Sequence, residues 1–418
     1  MSFLRLHLKF DISSMPLQNT AMFRRALAKE LRAAARRMPV VTVTGPRQSG
    51  KTTLVRHTFP RHAYVSLERP DERSRAREDP LGFLAGFRGG VILDEVQRAP
   101  ELLSYVQNAV DEDRRPGRFI LTGSQNLLLM EGISQSLAGR TAVLRLLPLT
   151  LAELTGRKSV DPRRLDSPPR SMSPPKLDPW DVIWAGFYPR IHDQDLPPDR
   201  WLADYFRTYV ERDLRDVLRV LDLDAFERFV RLAAARTGQE LNLTGLAADA
   251  GISQPTAQAW ITALRIGFIV TLLPTHHANF RKRMRKRPRL HFLDTGLVCY
   301  LLGIHSPALL KHHPLRGSIF ESFVIGEIMK GFENDGREAP LFFWRDATGH
   351  ELDGLIDLGD RLVPVEIKSG LTVAADSVDA LRWWTGLPGN RNKRGVLVHG
   401  GDRTLSLHGF TILPWFLK

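Results

Sequence analysis

The sequence predicts an α/β protein: a parallel sheet in the first half, then a helical region and a strand-rich tail. Three observations predict it. Between residues 38 and 155, apolar runs alternate with helical patterns, as in a parallel sheet covered by helices on both faces. The first apolar run ends in a glycine-rich loop carrying a lysine. Residues 157–180 then turn rich in proline, serine and charge, and a new pattern follows.

The strands read as VVTVTG (40–45), AYVSLE (63–68), VILDEV (91–96), RFILTG (118–123) and AVLRLL (142–147). They are nearly all apolar, as strands buried on both faces must be. Residues 22–37 read as a basic amphipathic helix leading into the first strand, and 101–113 as a helix between strands. The expected division is an extension (1–21), a P-loop core (22–156), a linker (157–180), a helical region (181–235), a winged-helix module (236–300) and a tail domain (301–418).

Composition bounds the function. The 418 residues are 43% hydrophobic and 25% charged, as in a globular protein with a real core. The net charge of +13 favours polyanionic partners. A single cysteine, Cys299, excludes a disulfide framework and an all-cysteine zinc site, and fits a reducing cytoplasm. No apolar run reaches the ~18 residues of a membrane span, and the first 20 residues lack the order of a secretory signal.

Gly45-Pro46-Arg47-Gln48-Ser49-Gly50-Lys51-Thr52 fits G-x-x-x-x-G-K-[ST]. The glycines let successive amides converge on phosphate oxygens. Lys51 places charge on the β- and γ-phosphates, and Thr52, followed by Thr53, offers a hydroxyl to Mg²⁺. The helix that opens at Gly50 aims its positive end at the same phosphates. VILDE delivers Asp94 and Glu95 at the carboxyl end of a buried strand. Asp94 is expected to organise Mg²⁺, and Glu95 to polarise the attacking water. Strand RFILTG ends in Ser124-Gln125-Asn126. One of these is a candidate for orienting water or the γ-phosphate, and Ser124 stands as the candidate ligand. Arg140 has two readings: it stabilises charge at a neighbouring subunit's γ-phosphate in a homo-oligomer, or it is an ordinary surface ion pair.

Together, GPRQSGKTTL, ILDEVQ, LTGSQNLLL and SLAGRTAVLRLLPLTLAEL resemble bacterial and archaeal AAA-type ATPases with a C-terminal domain of unknown function numbered 4143. YVERDL (209–214), LHFLDTGL (290–297), FESFVIGEI (320–328) and VEIKSG (365–370) resemble that C-terminal domain in order. The resemblance covers roughly residues 22–418. It implies an ATPase that binds and hydrolyses ATP, with no assigned biological substrate. The linker at 157–180 is longer than the family pattern.

Residues 243–270 read as helix-turn-helix, with Ser253 capping a second helix near Gln254. Two strands then bracket a basic wing: seven of the nine residues 281–289 are Lys or Arg. Arg281, Lys282, Arg283, Arg285, Lys286 and Arg287 are the candidate DNA contacts. The competing reading is a packing module with a solvated hairpin.

In the tail, Glu366 and Lys368 stand two apart in a strand, so they project together. Asp353 is expected beside them from a neighbouring strand, and Glu321 from the preceding helix. The arrangement resembles the PD-(D/E)xK nuclease core, which implies Mg²⁺ on Asp353 and Glu366 with Lys368 positioning water. Three functional readings follow. The first is an ATP-driven, DNA-associated motor or switch. The second is an ATP-gated, metal-dependent DNA nuclease. The third is a nucleotide switch that binds a protein partner without nucleic acid.

Overall fold

The computed structural model describes residues 23–124, 136–167, 173–211, 222–276, 287–388, 390 and 392–417. The first half holds a five-stranded sheet, all parallel: β1 (Val40–Thr44), β2 (Ala63–Ser66), β3 (Val91–Asp94), β4 (Phe119–Gly123) and β5 (Thr141–Arg145), in the order β2-β3-β4-β1-β5. Alternate residues serve opposite layers. Val40, Leu93, Phe119 and Leu121 join one apolar cluster with the helix Leu102–Glu112. Val41, Val43, Ile92 and Ile120 join another with Leu31 and Leu54, from the helices Ala28–Ala35 and Lys51–Thr58. This two-sided burial is why the central strands read as unbroken apolar runs. The edge strands depart from that reading. Ala63 and Tyr64 of β2 are exposed, and β5 ends at Arg145, two residues short of the expected strand.

Beyond the sheet, Thr150 and Glu153 close a capping box. Helices Pro179–Ala185, Pro189–Asp193 and Pro198–Tyr205 follow, then a π-helical turn at Phe206–Glu211. The middle module runs helix Leu223–Ala234, β6 (Gln239–Glu240), helix Leu243–Ala250, helix Gln254–Ile266, β7 (Val270–Leu273) and β8 (Arg289–Phe292). Its three strands are antiparallel in the order β6-β8-β7. Gly251 turns between the two short helices at φ 71°, and Ser253 accepts the Thr256 amide at 3.3 Å, as its capping position predicts.

The tail packs the helix Arg316–Asn334 on a six-stranded mixed sheet. Its strands are β9 (Leu341–Arg345), β10 (Glu351–Asp357), β11 (Leu362–Lys368), β12 (Val396–His399), β13 (Leu405–Leu407) and β14 (Phe410–Pro414), in the order β13-β14-β12-β11-β10-β9. Helix Asp379–Gly386 lies between β11 and β12.

One apolar cluster runs from Leu149 to Leu417. The expected divisions at 235/236 and 300/301 therefore fall inside a shared core. Part of the expected linker packs on the tail. Leu165 is buried, and Arg361 donates to the Arg163 carbonyl at 2.8 Å. The long tail helix also grips the first unit. Lys330 donates to the Leu149 carbonyl at 2.9 Å, Glu327 accepts the Leu151 amide at 2.9 Å, and Arg145 meets Glu333 at 3.1 Å. Among the described residues, no helix is long and apolar enough to cross a membrane.

Candidate functional site

The loop between β1 and the helix Lys51–Thr58 is held in a shape only glycine permits at two points. Gly45 has φ 151°, and a Cβ there would meet the Leu146 carbonyl oxygen at 2.1 Å. Gly50 has φ 89° and caps the helix with no side chain in the way. Gln48, between them, also has positive φ (62°). The Lys51 ammonium curls back onto the carbonyls of Gly45 (2.9 Å) and Pro46 (2.8 Å). Burial lowers its pKa to about 8, against the opposing pull of Glu95 and Asp94.

Asp94 ends β3 almost fully buried, ringed by neutral donors. Thr52 reaches it at 3.0 and 3.1 Å, Tyr64 donates at 2.8 Å, and Thr122 of β4 also donates. The bond to Asp94 follows burial as a cause raising the Tyr64 phenol to about 12. Glu95 takes a left-handed backbone, φ 56°, which turns its side chain off the strand line. Its carboxylate accepts from Ser124 at 3.0 Å and from Gln97. Among the described residues, neither Asp94 nor Glu95 has a cation in salt-bridge contact. A cavity of about 1190 Å³ opens over Gln48–Thr53, with Glu95 in its lining. Its other walls are the segment around Arg24 and the helix Pro189–Asp193.

Sequence reasoning placed Gly45 to Thr53, Asp94, Glu95 and Ser124 in one region, and the fold gathers them there. It missed Arg25, which donates to the Ser49 carbonyl and the Leu147 carbonyl, each at 2.6 Å, and pairs with Glu153 at 3.2 Å. It also missed Tyr64, Thr122 and Gln97. Thr122 and Gln97 flank motifs already read, so strand adjacency was a usable signal. Nothing local marked Arg25. Gln125 and Asn126 lie outside the described residues. Arg140 pairs with Asp111 at 2.7 and 2.9 Å on the same chain, the geometry of the surface-pair reading.

Of the candidate DNA contacts, Arg281, Lys282, Arg283, Arg285 and Lys286 lie outside the described residues, and Arg287 is exposed. In the tail, Lys368 meets Glu366 at 2.6 Å, as the two-residue strand period predicts. Asp353 accepts the Ile367 amide at 2.8 Å. Glu321 is joined to this group through Arg289, at 3.1 Å, a residue the sequence reading did not assign to it.

Residues 37–155 match the AAA domain, 177–308 match a domain of unknown function (DUF8612), and 316–417 match another (DUF4143). An uncharacterized protein of Mycobacterium tuberculosis, Rv2008c, is 32% identical over 348 residues, 82% of this chain and 74% of its own length. Mb2031c of Mycobacterium bovis matches to the same extent. The chain belongs to this family of AAA-domain proteins with a DUF4143 tail. Within the family frame, YVERDL and LHFLDTGL fall in the 177–308 match rather than in DUF4143. Among solved structures, the Walker-type ATPase PABY2304 of Pyrococcus abyssi covers 67% of this chain and 96% of its own, at 14% identity and TM-score 0.42. The Thermotoga maritima RuvB Holliday junction branch migration motor covers 59% and 87%, at 21% identity and TM-score 0.28. The AAA-domain match over residues 37–155 and the parallel sheet that leads into the Gly45–Thr52 loop give the first unit a P-loop ATPase fold.

Proposed function

We propose that this AAA-domain protein binds ATP with Mg²⁺ in the cavity above Gly45–Thr53 and hydrolyses it. One observation carries the reading: the Thr52 hydroxyl stands 3.0 Å from Asp94, so loop and strand present both halves of a metal–triphosphate site at one point. The donor set fits the ion. A hydroxyl and a carboxylate are hard oxygen ligands, and Asp94 is held by neutral groups that leave its charge unspent. Mg²⁺ there would neutralise charge shared by the β- and γ-phosphates.

The chain's own groups do the rest. Amides of Gln48 to Thr53 and the helix end receive the phosphates. Lys51 leaves the Gly45 and Pro46 carbonyls for phosphate oxygens. Glu95 takes the proton of the attacking water, and Ser124 with Gln97 fixes its carboxylate. Arg140 is offered as a charge supplied to a neighbouring subunit, which requires that it leave Asp111. Titration calorimetry with Mg-ATP, and phosphate release by wild type and Lys51→Ala, test the assignment. Absence of nucleotide affinity in folded wild type would remove it.

A DNA-associated role is favoured by the middle module. Its order of helix, strand, two helices and two strands is that of a winged helix, and the 281–289 basic run joins β7 to β8. Duplex binding that weakens steeply with salt, and is lost when Arg281 to Arg287 are neutralised, is the expected result. Absent or salt-insensitive duplex binding would favour a protein partner.

A further inference from the structure

The tail pattern of Asp353, Glu366, Lys368 and Glu321 implies a divalent metal. Arg289, the first residue of β8, enters the acidic cleft of the tail from the middle module. Its side chain is 4% exposed. Nη1 lies 3.1 Å from Glu321 and 3.6 Å from Asp353, and Nη2 bonds Glu351. The guanidinium carbon sits 4.7 Å from the centre of the Phe343 ring, a cation–π contact that suits arginine. Lys368 takes the remaining acid, Glu366. Arg345 shares Glu351 at 3.8 Å.

The other groups facing the cleft agree. His291, buried beside Arg289, has its pKa lowered by burial and then by that guanidinium to about 3, so it adds no charge. Burial, then the Asp353 charge, pushes Glu321 well above the usual carboxyl range. A divalent ion needs several oxygens at roughly 2.0–2.6 Å. Here the bonded oxygens are turned onto a guanidinium, an ammonium and an amide. Of these carboxylates' oxygens, Glu366 Oε2 alone is buried without a hydrogen-bond partner among the described residues, too few free oxygens for such an ion. Among the described residues, no group of three or more acids, histidines or cysteines stands ready to hold a metal. In this arrangement the residues do not fit one.

We propose that Arg289 is itself the cation of this centre: Glu321, Glu351 and Asp353 form a guanidinium site filled by the chain's own middle module, and a divalent metal gains these carboxylates only when that guanidinium is gone. The site then acts first as a latch. It ties the three-stranded sheet to the tail through three acids on two elements, the long helix and β10. The proposal is independent of ATP hydrolysis and would survive its failure.

Manganese uptake by the full chain without nucleotide, followed by electron paramagnetic resonance, tests it. Wild type should show no Mn²⁺ uptake that Asp353→Asn removes. Arg289→Ala should gain one Mn²⁺ per chain, lost again with Asp353→Asn. Methylguanidinium at millimolar concentration should raise the melting temperature of Arg289→Ala, expel its Mn²⁺, and leave wild type unchanged. Should Arg289→Ala fail to fold, Glu351→Gln keeps the arginine with one anchor fewer. It should then take up Mn²⁺ that Asp353→Asn removes, where wild type takes up none. Stoichiometric Mn²⁺ in wild type that disappears with Asp353→Asn would overturn the proposal. So would an Arg289→Ala protein that takes neither metal nor methylguanidinium, or a Glu351→Gln protein whose uptake matches wild type.

Discussion

The chain twice brings a lysine and carboxylates together, and the two places are built in opposite ways. Under the P-loop, Asp94 is held by Thr52, Tyr64 and Thr122, all neutral hydroxyls, while Lys51 rests on two carbonyls. Charge of both signs is left unpaired beside an open cavity. In the tail, Lys368 lies on Glu366 and Arg289 on three further acids. The two cations are taken up by acids of the chain itself, and of those acids' oxygens Glu366 Oε2 alone is left buried without a partner among the described residues. Hydroxyls can orient a carboxylate without cancelling it, whereas a buried guanidinium cancels it and is costly to remove. Similar residue types therefore give a site poised for a ligand in one place and a filled one in the other.

The largest expected effect falls on the poised site. Lys51→Ala should lower ATP turnover about 100-fold or more, as loss of a preorganised charge on a developing anion does, measured by phosphate release. Lys368→Ala should leave turnover unchanged; a comparable loss there would break the contrast between the two sites. Next is Glu95→Gln, which should retain bound Mg-ATP in calorimetry while slowing hydrolysis by about 100-fold. Tight binding with normal turnover would mean that Glu95 is not the base.

Acidity separates the two sites in opposite directions. Lys51 has its pKa lowered from 10.5 to about 8, and phosphates favour its charged form. Nucleotide affinity should therefore be complete below pH 8 and decline above it, by up to about tenfold per pH unit. Glu366 is raised from 4.5 to about 8, chiefly by burial and then by Asp353. Between those values the folded chain holds a proton that the unfolded chain has released. Its contribution to stability is thus present below pH 4.5 and lost as pH rises toward 8. Glu333, raised to about 7, acts in the same sense. Thermal melts from pH 5 to 8 should show the decline, and Glu366→Gln should flatten part of it.

The poised site was legible because its parts are contiguous. Gly45 to Thr53 is one run of chain, and Asp94–Glu95 ends a strand whose apolar character marks it as central. The Glu366–Lys368 pair was legible for the same reason, since the strand period is local. What stayed hidden is set by long-range packing. Arg25 clasps Glu153 across 128 positions, and Arg289 meets Glu321 across 32. No spacing rule joins such pairs. Arg289 was counted as the last member of a basic run, yet it opens β8, a strand buried at all four positions, while Arg287, before the strand, is exposed. The shared core from Leu149 to Leu417 was hidden similarly, because helical and strand patterns report faces and not the partners that cover them.

The smallest expected effect sharpens the comparison most finely. Tyr64 lies on the exposed edge strand β2 and gives Asp94 one of its three hydroxyl contacts. If hydroxyls only orient this carboxylate, Tyr64→Phe removes a single hydrogen bond to a charged group, leaving Thr52 and Thr122 in place. The loss should be about 1.5 kcal/mol, roughly tenfold in apparent Mg²⁺ requirement for turnover. Maximal turnover at saturating Mg²⁺ should be retained, because the phenol acts only through its bond to Asp94. A fall in that maximal rate as large as that of Glu95→Gln would instead make the phenol part of the chemical step, and Asp94 would no longer be a carboxylate held in waiting by spectators.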